Sequence, residues 1–175
     1  MISLGSARLH VGLHDAASAQ EAEKFIRWVR ESADIVSAYY GRFPVSEVGV
    51  NLVLQSGVGV TSGRAFQGRD MPQIIVWVGR QTPANDLRAD WIMVHELIHL
   101  AMASLPRQHN WFEEGLSVYI ESVARARYGG LSSRVVWREF VKRMPQGQPA
   151  SGDRGLNYTS TWGRTYWGAR FFVCC

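Results

Sequence analysis

Along residues 7–14, "ARLHVGLH", Ala7, Leu9, Val11 and Leu13 alternate with Arg8, His10, Gly12 and His14. That period of two predicts a half-buried strand, with His10 and His14 sharing its polar face. The period then lengthens. Between residues 17 and 40, Ala22, Phe25, Ile26, Val29, Ile35, Val36 and Tyr39 fall near one stripe, which predicts an amphipathic helix. Ser18 is placed to cap it, acids follow in the first turns, and Gly41 and Pro44 end it. "VGVNLVLQ" (48–55) predicts a strand, and the more continuously apolar "QIIVWVG" (73–79) a second, placed at the sheet edge. Between them "SGVGVTSGRAFQGRD" (56–70), rich in glycine and polar residues, predicts a turn or mobile loop.

The second half reads as helices. Pro83 with Asn85 or Asp86 predicts a helix over about 86–104, closed by Pro106. "NWFEEGLSVYIESVARARY" (110–128) predicts another, capped by Asn110 and broken at Gly129 and Gly130. "SSRVVWREFVKRM" (132–144) is a third amphipathic pattern, "PQGQPASGDRG" a loop, and "TSTWGRTYWGARFF" the start of a last helix. Strand and helix, then strands, then helices: the order predicts an α+β fold with a small mixed sheet packed on helices. No internal repeat and no long linker divides the chain, so residues 1–175 are expected to form a single domain.

Composition narrows the function classes. A chain of 175 residues, 46% hydrophobic and 19% charged, has the make-up of a packed domain and not of a disordered tail. No apolar run approaches the ~20 residues a transmembrane segment needs. The N-terminus lacks a basic region followed by a long apolar stretch, so no signal peptide is expected. Cys174 and Cys175 are adjacent at the end, where they cannot brace a fold, and "FFVCC" reads as part of a helix. Neither feature assigns a compartment. The net charge is +4, and 17 of the 19 basic residues are arginine, a side chain suited to phosphate. The arginines are dispersed, however. The densest group, Arg125, Arg127, Arg134, Arg138 and Arg143, has helical spacing and reads as a solvated face, so no nucleic-acid partner is expected.

The chemistry concentrates in "VHELIHL" (94–100). On a helix, His95 and His99 at i and i+4 lie one turn apart on one face, so both imidazoles reach one zinc ion (Zn²⁺) at about 2 Å. Glu96 is rotated about 100° from His95, away from a ligand position and toward a water on the metal. Zinc lowers the pKa of such a water toward ~7, and a carboxylate takes its proton as it attacks a carbonyl. A plain core helix is the alternative. Burying Glu and His without partners is costly, which disfavours it.

A third protein ligand is needed. The extended pattern with a third histidine six residues after the second is absent, since position 105 is leucine, and His109 lies past Pro106. Glu113, Glu114 and Glu121 are the acidic candidates on the next helix. If the first helix turned back after Pro106, His99 would lie about 7 Å before its end and Glu114 a similar distance into its antiparallel neighbour. Glu114 and Glu121, seven apart, share a face with Val118, whereas Glu113 faces elsewhere, where favourable charge at a helix N-terminus accounts for it.

"HELIH" followed by "WFEEGLSVYIE" resembles the gluzincin signature of zinc aminopeptidases such as the alanyl and glycyl aminopeptidase families, over about 27 contiguous residues. The resemblance implies a zincin-like metallopeptidase domain with His95, His99 and Glu114 as zinc ligands and Glu96 as general base. It makes Glu121 the trailing acid that hydrogen-bonds a ligand histidine. It also implies a tyrosine that stabilises the oxyanion; Tyr166 in "TYWGAR" matches with Ala169 in the place of a glycine, and Tyr158 is the fallback. The chain departs from the family in three ways. Only 14 residues separate His99 from Glu114, no acid except Asp70 lies in residues 62–80 to receive a free amino end, and the chain stops before the C-terminal helical lobe.

The sequence therefore predicts zinc-dependent hydrolysis of a peptide or protein substrate. Two other readings are a noncatalytic zinc-stabilised scaffold, which has no use for Glu96, and an arginine-rich nucleic-acid-binding domain, which ignores the site and binds with a steep dependence on salt.

Overall fold

The computed structural model describes residues 1–14, 18–103 and 105–168. "FFVCC" and Ala169 lie outside them. The chain divides into two compact units, Met1–Ala101 and Met102–Cys175. The elements are mixed α and β, and among the described residues no helix is long and apolar enough to cross a membrane.

In the first unit, strands β1 (Ile2–Leu4), β2 (Ala7–His14), β3 (Glu47–Gln55), β4 (Val60–Gln67) and β5 (Pro72–Gly79) form one sheet in the order β1-β2-β3-β5-β4. The inner pairs β2–β3 and β3–β5 are parallel, and the outer pairs β1–β2 and β4–β5 antiparallel. The period of two is visible in burial. Val48, Val50, Leu52 and Leu54 of β3 and Ile74, Val76 and Val78 of β5 are inside. Each such side chain contributes roughly 1.5–3 kcal/mol of gross burial energy.

Helix α1 (Ala19–Tyr40) carries the parallel crossover from β2 to β3. Ser18 caps it as expected: its side chain accepts the Glu21 amide at 3.2 Å while Glu21 accepts the Ser18 amide at 3.0 Å, a reciprocal pair that satisfies two end donors. Gly41, at φ 77°, ends it in the left-handed region. Its buried stripe is Phe25, Trp28, Val29, Ser32, Ala33 and Val36, so the expected Ile26 and Ile35 flank the stripe and are only half-buried.

Three expectations are corrected here. Residues 56–70 are not simply a loop, because Val60–Gln67 form β4, and β4, not "QIIVWVG", lies at the edge of the sheet on that side; β5 is paired on both sides. No residue of β4 is fully buried, and the half-buried ones include a glycine and an alanine, so β4 leaves no apolar alternation to read. The helix expected over 86–104 is two shorter ones, α2 (Ala84–Ala89) and α3 (Ile92–His99). Asp90 is extended (ψ 147°) and its carboxylate accepts the Ile92 amide at 2.7 Å, closing one helix and starting the next. His99 is thus the last residue of α3, not a residue 7 Å short of its end.

The second unit holds α4 (Asn110–Tyr128), α5 (Ser133–Arg143) and α6 (Trp162–Trp167). Asn110 is the first helical residue of α4 and not its cap; His109, closing a 3₁₀ turn, stands there. Val118, Val136, Phe140 and Trp167 form the core of this unit.

Candidate metal centre

Helix α3 packs on α1, β4 and β5, and Ile92 through Ile98 are all buried. That run includes His95 (2% exposed) and Glu96 (7%), while His99 is half-buried. One helical turn brings the Nε2 atoms of His95 and His99 to 3.1 Å, with ring centroids 4.8 Å apart and planes at 79°. Two zinc–nitrogen bonds of about 2.0–2.1 Å in a tetrahedral arrangement separate their nitrogens by about 3.3 Å. The pair therefore fits one ion. Trp91, just before α3, meets the His95 ring edge-on at 5.1 Å.

The other sequence-derived candidates lie in the second unit. Glu113 is taken up locally, its carboxylate accepting the Leu105 amide. Glu114 is half-buried on α4. Glu121 is 3% exposed and pairs with Arg125 at 2.7 Å, and the Ser122 hydroxyl lies 3.0 Å from its other oxygen. Arg125, expected on a solvated face, is instead 5% exposed, because a guanidinium beside a buried carboxylate shares its burial. Arg127, Arg134 and Arg138 are exposed as expected.

His109 is held by its neighbours: Nδ1 is 3.1 Å from Asn157 Oδ1 and Nε2 is 3.1 Å from the Gln108 side chain. Tyr166 is half-buried on α6, against the core of its unit, with Trp162 at 5.6 Å. Tyr158 is 69% exposed beneath the Arg154 guanidinium. Among the described residues, His95 and His99 of the first unit and Glu114 of the second are each candidates to offer a ligand atom to a metal.

Trp91 and Gly63 are not among the sequence-derived candidates, and Arg125 is among them only as part of a solvated face. A Cβ on Gly63, in β4, would meet Glu96. The signal for Gly63 was a glycine amid strand-length sequence, which marks a close approach; for Arg125 it was the i,i+4 spacing from Glu121.

No family model and no curated protein matches this sequence. Among solved structures the chain is similar to an M1 zinc metallopeptidase from Deinococcus radiodurans, with 18% identity and a TM-score of 0.49 over 97% of this chain and 37% of that one. It thus spans little more than a third of that protein's length.

Proposed function

We propose that residues 1–175 act as one zincin-like metallopeptidase domain of gluzincin type, hydrolysing peptide bonds with a zinc ion held by His95, His99 and Glu114. One observation carries the reading: α3 turns two imidazole Nε2 atoms to within 3.1 Å of each other while burying a carboxylate, Glu96, at the adjacent position. A structural zinc site fills its coordination with protein ligands, whereas three ligands and a nearby carboxylate belong to an open, hydrolytic one.

When bound, zinc supplies Lewis-acid polarisation of a carbonyl and acidification of water. The work of Glu96 is proton transfer. Its carboxylate takes a proton from water as the water oxygen bonds to the carbonyl carbon and the carbonyl electron pair moves onto oxygen. The same carboxyl then delivers that proton to the departing amine as the carbon–nitrogen bond breaks. The Tyr166 hydroxyl donates a hydrogen bond to the developing oxyanion. Glu121, paired with Arg125 at 2.7 Å, accepts the N–H of a ligand histidine and fixes its orientation. The main-chain groups of β4, the edge strand, receive an extended peptide by pairing.

The test is Glu96→Gln. The variant should retain about one zinc per chain, and hydrolysis of a peptide mixture followed by mass spectrometry should fall by about 10²–10⁴-fold, the contribution of a positioned general base. Undiminished hydrolysis would remove Glu96 from the mechanism. A parent chain that holds zinc and cleaves nothing would leave only the scaffold reading.

A further inference from the structure

Strand β4 forms one edge of the sheet and packs on α3. Gly63 lies in its interior, paired with Val76. Glycine weakens a strand, so its presence there calls for a reason. Backbone conformation is not that reason, because Gly63 is absent from the glycines with positive φ. Space is. A Cβ at position 63 would lie 2.6 Å from Ile92 Cγ2, 2.7 Å from Glu96 Cγ and 2.9 Å from Glu96 Oε1. Contacts that short do not occur between unbonded heavy atoms of these kinds, whose attractive optimum is about 3.5–4.0 Å. Any side chain at 63 and the Glu96 carboxylate in its present place exclude each other.

We propose that Gly63 is the positioning residue of Glu96: the bare stretch of edge strand it creates sets where the carboxylate sits. The catalytic consequence rests on Glu96 being the general base, while the spatial claim stands without it. His95 and His99 meet each other at 3.1 Å, and neither is among the atoms nearest a Cβ at position 63. A methyl group at 63 should therefore move the base and leave the metal pair alone. Misplacing a reacting group by about 1 Å costs up to about 100-fold in rate.

The experiment compares the full-length parent with Gly63→Ala, Glu96→Ala and the double variant, measuring zinc content and Tm, with kcat and KM for the parent and Gly63→Ala. Zinc should stay near one per chain throughout. Gly63→Ala should lower Tm by roughly 3–10 °C when Glu96 is present, the cost of overpacking in a chain of this size, and by less than half of that when residue 96 is alanine. The Ile92 contact is common to both backgrounds and cancels in the cycle. In the parent background kcat should fall about 10–100-fold with KM within about twofold, the mark of a lost transition-state interaction. Equal Tm losses in both backgrounds, or none in either, would overturn the proposal. If Gly63→Ala does not fold, folding of the double variant supports it and failure of both overturns it by assigning the constraint to Ile92. A parent without peptidase activity would sink the functional reading only, because the Tm cycle still decides the spatial one.

Discussion

Glu113 and Glu114 are adjacent in the chain, yet one helical step gives them different tasks. Glu113 accepts the Leu105 amide, so it holds a connection, whereas Glu114 is the third zinc ligand proposed above. Two histidines rarely retain zinc alone. Glu114→Ala should therefore weaken zinc binding severely in a competitive titration, while Glu113→Ala should bind like the parent. Glu121→Ala should fall between, since losing a group that orients a ligand costs about 10- to 100-fold. If Glu114→Ala binds zinc like the parent, and His109→Ala does not, the ligand set proposed here is wrong. The approach of His95 to His99 was legible in the sequence because their relation is local: helical spacing alone dictates which rings face one another. Gly63 was not, because the atoms that forbid a side chain there, on Ile92 and Glu96, are about thirty residues away and become neighbours only through sheet-to-helix packing. Arg125 was misplaced for the same reason, since a charge pattern shows spacing and not what covers it.

Among the elements, those with a strong period were readable to within a residue or two: β2, α1, β3 and α4 lie where alternation and stripes put them. Those that failed lacked a pattern to read. β4 has no fully buried residue, and the break between α2 and α3 depends on one Asp90 carboxylate taking a main-chain amide from the following turn. α2 is nonetheless tied down. Arg88 grips Glu31 of α1 through two bonds, at 2.8 and 2.9 Å. The hydrogen bond from Arg88 is the chief reason that the Glu31 carboxyl lies below the ordinary glutamate value of 4.5, against a smaller opposing effect of burial. A carboxylate with a depressed folded pKa adds stability that is present above pH 4.5 and is lost as pH falls through the folded value. Arg88→Ala should thus lower Tm at pH 7, by no more than roughly 3 °C because the pair is largely exposed. The gap between parent and variant should shrink below pH 4.5 as Glu31 takes up its proton. A gap unchanged from pH 7 to pH 3 would mean that Arg88 acts by packing and not by charge.

For the whole molecule the decisive question is whether folding and zinc are linked. The net charge of +4 and the arginine-rich surface leave phosphate binding as a rival use of the chain, and that use requires no metal. An ion that binds the folded chain and not the unfolded one stabilises it by about 2.7 kcal/mol when its free concentration is 100 times Kd. In a chain of this length that corresponds to a rise in Tm of roughly 5–11 °C. Five histidines and the Cys174–Cys175 pair give the unfolded chain some affinity of its own, which trims the rise without abolishing it. Chelated protein should therefore unfold at lower temperature than zinc-loaded protein, and Glu96→Gln, which keeps the ligands, should show the full difference. His95→Ala and Glu114→Ala should lose most of it. A Tm indifferent to zinc in the parent, together with nucleic-acid binding that collapses as salt rises, would move the function from the histidines of α3 to the arginines of the surface.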